Sequence, residues 1–104
     1  MIKLVIQLSI GDDTDFDWLL HVEETLTRAF GLDDQADVGG HEIGEGRFNI
    51  IVTTAGACDP VVSRITTLLE GLGALPAAVI AEFLPDTQSY RVVHPESYRG
   101  DFSL

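Results

Sequence analysis

Apolar and polar positions alternate through residues 2 to 10, IKLVIQLSI. Ile2, Leu4, Ile6, Leu8 and Ile10 fall on one side and Lys3, Val5, Gln7 and Ser9 on the other, the period of a strand with one well-buried face. Gly11 and the acids after it end the strand. The period then lengthens. In TDFDWLLHVEETLTRAFG, the residues Phe16, Leu19, Val22, Leu26 and Phe30 recur at helical spacing, which predicts a helix over 15–30. Thr14 with Asp17 three residues on reads as a capping box with Asp in place of Glu. Asp15 and Asp17 suit the positive end of the helix dipole, and Gly31 is placed to be the C-cap.

A polar connection over 32–37 leads into GGHEIGEGRFNIIVTT, which reads as two strands around a Gly44-Glu45-Gly46 turn. Phe48, Ile50 and Val52 alternate with Asn49, Ile51 and Thr53 in the second arm. The first arm, about 38–43, is glycine-rich and reads as an edge or bulged strand. A second helix starts at Asp59 as N-cap with Pro60 as first helical residue; it lines up Val61, Ile65, Leu68 and Leu72 and closes at Gly71 and Gly73. AAVIAEFL after Pro76 predicts a strand, PDTQ a turn, and SYRVVHP a short strand returning beside the fourth. Tyr98, Phe102 and Leu104 in the tail are packing anchors.

The order is β-α-β-β-α-β with a short C-terminal strand. It predicts a single α+β domain over 1–104 of the ferredoxin-like, split βαβ type: a four-stranded antiparallel sheet with both helices on one face. The first and third strands would be central neighbours. Their helix-free face would be open and would carry Gln7 beside Asn49.

Apolar residues at 45% and charged residues at 22% mark a folded chain long enough to bury one core without staples. The single cysteine, Cys58, excludes an internal disulfide and any CxxC site, and suits a reducing compartment. The N-terminal apolar run is interrupted by Lys3, Gln7 and Ser9 and has no small-residue cleavage site, so it is not a signal sequence; no segment is long enough to span a bilayer. The expectation is a cytoplasmic protein. Charge changes the picture most. Seventeen acids against six bases give −11, and residues 11 to 45 hold eleven of those acids against Arg28 alone. Such a chain repels nucleic acid and anionic membranes and attracts a basic protein. The simplest alternative is that the acids serve solubility.

Candidate chemistry narrows under the same scrutiny. His41 and Glu42 are adjacent and would point to opposite strand faces, and no HExxH is present because position 45 is Glu45. His41 reads as an exposed strand residue. Nothing spaces His21, His41 and His94 as metal ligands, so no metal and no cofactor are expected. The GEG turn leads into a strand and not into a helix N-terminus, and carries acids, which excludes a phosphate cradle. Asp12, Asp13, Asp15 and Asp17 lack the glycine and terminal glutamate of a calcium loop. Cys58 reads as a half-buried loop residue, and Trp18 as an edge-of-core residue on the first helix. The third strand, RFNIIVTT, lacks the stacking aromatics of RNA-binding domains of this topology, and GDDTD after the first strand is no acylphosphatase anion loop.

The pieces DFDWLL, GGHEIGEGRFNIIV, CDP and YRVVHP occur in an order that resembles a group of small bacterial proteins with a GHEIGxGxxNI-like hairpin. The resemblance implies a bacterial source and the ferredoxin-like fold, and it carries no activity and no catalytic residue. Among small acidic bacterial proteins, immunity partners of secreted toxins offer an analogy.

The sequence thus points first to a non-enzymatic acidic binding module for a basic protein partner, immunity-like or regulatory. Its contact residues would be His41, Glu42 and Glu45 at the hairpin, with Asp33, Asp34 and Asp37 beside it. The alternative is a small-molecule or enzymatic site on the open sheet face, using Gln7, Arg47, Asn49 and His41. A third reading has that face, with Val5 and Ile51, making a homodimer.

Overall fold

The computed structural model describes residues 1–11, 14–32, 34–95, 97, 98 and 102. Its elements are β1 (Ile2–Ser9), α1 (Phe16–Gly31), β2 (Asp37–Gly44), β3 (Arg47–Thr54), α2 (Cys58–Gly71), a short 3-10 turn (Leu75–Ala77), β4 (Ala78–Leu84) and β5 (Ser89–His94). All strand pairs are antiparallel, in the order β2-β3-β1-β4-β5.

The architecture is α+β and roughly ferredoxin-like. Its sheet departs from expectation: it has five strands, not four, because the short strand expected beside the fourth is part of the sheet. The C-terminal strand is a full member of the sheet, pairing with β4 from Ile80↔His94 to Leu84↔Ser89, with a register shift after Ile80.

The pairing register explains the core. Leu4↔Val52, Ile6↔Ile50 and Leu8↔Phe48 across β1 and β3, with Ile6↔Ile80 and Leu8↔Ala78 across β1 and β4, set these side chains on one sheet face. All of them are buried, together with Leu19, Val22, Leu26 and Phe30 of α1 and Val61, Ile65 and Leu69 of α2. Both helices therefore lie on the same face. Burying such a leucine or phenylalanine contributes about 1.5–3 kcal/mol each. Trp18 packs half-buried at the margin of this cluster, and so do Leu68 and Leu72, where Leu69 takes the innermost place on α2.

Local signals at the helix ends differ from the sequence reading. Asp15, not Thr14, is the α1 N-cap: its carboxylate accepts from the Asp17 N–H at 2.9 Å, while the Thr14 hydroxyl accepts from the Gly11 N–H at 2.7 Å. Gly31 lies inside the last turn, and the left-handed residue that stops the chain is Asp34, at φ 54°. Helix α2 begins two residues earlier than Asp59 and Pro60 implied, with Ala57 as an N-cap that offers no side-chain oxygen. Its other end is as expected from the glycines: Gly73 at φ 71° donates to Glu70, and Ala74 donates back to Leu69, the paired bonds of a Schellman closure.

The far face of the sheet is not open. Val5 and Ala81, paired across β1 and β4, have no exposed surface, and Asn49 retains 2%. Lys3 sits over the Phe83 ring, Phe83 contacts Tyr90, and Tyr90 contacts Phe102, which therefore lies against this face. Val5 is therefore a buried residue and Ile51, its partner on β3, a half-buried one. Leu104 lies outside the described residues.

Candidate functional site: the β2–β3 hairpin and its edge

β2 is an edge strand. It pairs with β3 alone, and residues 41 to 44 are exposed. Two adjoining glycines, Gly39 and Gly40, absorb a register shift between Val38↔Val52 and His41↔Ile50, and Gly40 takes φ 102°. This is the bulge that the glycine-rich arm foreshadowed. Beyond it the hairpin closes tightly. Glu45 at φ 52° and Gly46 at φ 75° are the two loop residues, both left-handed as a type I′ turn demands, while Gly44 belongs to the strand. The Gly46 carbonyl accepts from Ile10 N–H at 2.7 Å, tying the turn to the end of β1.

His41 and Glu42 point to opposite faces, as their adjacency required. Glu42 pairs with Asn49 on the far face and is exposed. His41 is no idle surface residue. Its ring stacks on Phe48 at 4.6 Å between centroids, and Nδ1 lies 2.9 Å from a carboxylate oxygen of Glu23 on α1. The pair ties the helix layer to the edge strand, with side chains 29% and 16% exposed. Sequence spacing gave no sign of it, because the partners are brought together only by packing of α1 on β2. Phe48 itself is completely buried. Besides His41, it meets Phe16 edge-on at 5.9 Å and has Ile43 as its cross-strand partner. Phe16 and Ile43 remain 43% and 53% exposed, so a buried ring carries an apolar patch at the surface.

The acids proposed alongside the hairpin divide into two places. Glu42 and Glu45 are at the turn end of β2, whereas Asp34 and Asp37 are at its start, about 20 Å away at ~3.3 Å per residue. Asp34 and Asp37 line a shallow cavity of about 300 Å³ with Gln35, Thr53 and Met1. Strand length, invisible in a list of acids, separates them. All four carboxylates are exposed and none pairs with a cation among the described residues. Asp33, together with Asp12 and Asp13, lies outside the described residues. Among the described residues no three His, Cys, Asp or Glu side chains gather as a metal site.

Gln7 and Asn49 do come together, in register on adjacent central strands. Gln7 Nε2 donates to Asn49 Oδ1 at 3.0 Å, and both side chains are buried. The two amides thus bond to each other. Arg47 is half-buried at the start of β3, two residues along the strand from Asn49.

Cys58 sits in the first turn of α2, half-buried. Burial, and then the carboxylates of Glu82 and Asp59, push its thiol pKa up against the opposing pull of Arg91. Arg91 is held by Glu82 at 2.6 Å, a contact between β5 and β4. A thiol kept protonated is a poor nucleophile.

Among the described residues no helix is long and apolar enough to cross a membrane. No protein-family model, no curated protein and no solved structure matches the chain.

Proposed function

We propose that the protein is a non-catalytic binding module that receives a basic protein partner on its acidic β2 side, as an immunity or regulatory protein of the cytoplasm would. One observation carries this reading. Gln7 and Asn49, buried on the central strands, bond to each other, while the exposed carboxylates Glu42 and Glu45 at the hairpin form no ion pair among the described residues. Uncompensated surface acids raise the rate and selectivity of encounter with a basic surface.

The test is affinity capture from a lysate of the source organism at 50 and 500 mM salt, with the wild-type chain and the double variant Glu42→Gln, Glu45→Gln. Roughly the Debye length at each salt sets the expectation, about 14 Å falling to about 4 Å. A genuine partner is a basic protein, is retained at low salt, and is lost both at high salt and on the variant. Capture that ignores both salt and the substitutions overturns the reading.

A further inference from the structure

The edge of β2 and the patch beside it form one surface, and we infer that it takes an extended, basic polypeptide segment as an added strand. The inference rests on the reading of the protein as a receiver of basic partners and gives it a docking mode. Three features coincide over residues 41 to 44. Among the described residues the strand has no neighbour on its outer side, so alternate residues direct backbone N–H and C=O groups outward, a ready template for another strand. Phe16 and Ile43, 43% and 53% exposed over the buried Phe48 ring, supply an apolar seat for one incoming side chain. Asp15 and Asp17 adjoin Phe16 in sequence and Glu45 follows Ile43 at the turn, all three exposed, while Glu42 is exposed on the opposite face of the same strand.

Charge selects the occupant. A second copy of this chain would bring its own acids onto the same edge, with −11 on each molecule, and like charges across a docked strand oppose association. A segment with Lys or Arg on both sides of one large apolar residue meets each feature. Geometry limits its reach. The Gly39–Gly40 bulge breaks the edge, so pairing runs from the turn to His41 and stops there.

The experiment uses the full chain and synthetic peptides of the pattern basic-polar-apolar-polar-basic in three forms: unmodified, N-methylated at the central amides, and scrambled so that the charges cluster at one end. Binding is read by fluorescence anisotropy at 50 and 500 mM salt, and the amides of residues 41 to 44 by hydrogen exchange. The unmodified peptide should bind, weaken at least about tenfold at high salt, and slow exchange of the outward amides. N-methylation, which leaves every charge in place, should cost about tenfold. Ile43→Ser should weaken binding several-fold while Ile43→Val leaves it near the wild-type value, a pattern that separates a lost seat from a disturbed fold.

Salt-sensitive binding that ignores N-methylation and Ile43→Ser overturns strand addition and leaves the acidic-receiver reading standing. Absence of binding by any of the basic peptides overturns both. Dimerisation of the chain without peptide, with the same amides protected, assigns the edge to a second copy and overturns the proposal.

Discussion

The Gln7–Asn49 bond offers a direct test of whether the far sheet face is scaffold or site. Gln7 Nε2 donates to Asn49 Oδ1 at 3.0 Å, with Asn49 2% and Gln7 9% exposed. Gln7→Met keeps the length of the side chain and removes the donor, leaving Asn49 Oδ1 desolvated without it; Asn49→Leu does the converse. Each single change should cost about 1–3 kcal/mol, the penalty of a buried polar group deprived of its partner. Together the two put apolar groups of similar volume next to Val5 and Ala81, and the double variant should lie within ~1 kcal/mol of the wild type. The coupling energy, the two single costs less that of the double variant, is then about 1–6 kcal/mol, outside the additivity seen for independent sites. Urea unfolding measures it. A slope of roughly 1–3 kcal/mol per molar moves each single variant's midpoint down by about 1 M and returns the double variant nearly to the start. Single costs that simply add, within ~0.5 kcal/mol, would show that the two amides do not depend on each other. That outcome would restore the face as a ligand site whose polar groups are held for something other than themselves.

Glu45 adopts φ 52°, a conformation that asparagine tolerates better. Glu45→Asn should therefore stabilise the hairpin by about 0.5–1 kcal/mol in thermal melts while weakening a basic ligand, and a variant that loses stability refutes the turn assignment. Arg64 donates to the Ala29 carbonyl at 2.7 Å and to Gln35 Oε1 at 3.1 Å and lies over the Phe30 ring at 4.9 Å. Arg64→Ala should cost about 1–3 kcal/mol and Arg64→Lys should recover little of it, since ammonium cannot reproduce the planar fork; full recovery would reduce the contact to charge alone. Cys58, its pKa raised chiefly by burial, should be alkylated by iodoacetamide more slowly at pH 8 than a cysteine in an unfolded peptide, with Glu82→Gln quickening the reaction. A folded protein that reacts faster than the peptide contradicts the assigned environment.

The elements were legible because their periods are clean. Alternation through IKLVIQLSI and the 3.6-residue spacing from Phe16 to Phe30 mark β1 and α1 directly, and Gly39 with Gly40 announces a faulted arm. What stayed hidden depends on distance in space. Asp15 and Thr14 both carry oxygens suited to an N-cap, and only the backbone direction decides which one caps. The strength of β5 was understated because its apolar residues are few and its register is broken, yet its pairing with β4 is continuous from Ala81↔Val92 onward. The hairpin drew attention for its glycines and histidine, and the structure gives His41 a partner, Glu23, that no spacing rule connects to it. The separation of Asp34 and Asp37 from Glu42 and Glu45 follows from the extended rise of a strand, which composition does not record. The covering of the far face by Phe102 on Tyr90 belongs to the same class: aromatic anchors were visible in the tail, but not their destination.

The placement of β1 has a consequence for synthesis of the chain. It precedes the other strands of the sheet in the chain, yet it occupies the centre of that sheet, with Ile2↔Thr54 on one side and Leu4↔Glu82 on the other. When the ribosome has released Thr54, one edge of β1 has its neighbour and the other still waits for β4. Its apolar side chains and unpaired backbone remain available to other molecules until the emerging chain passes Leu84, which favours late, concerted assembly over stepwise growth. A nascent chain stalled between these points is the form of this protein that a chaperone would be expected to hold.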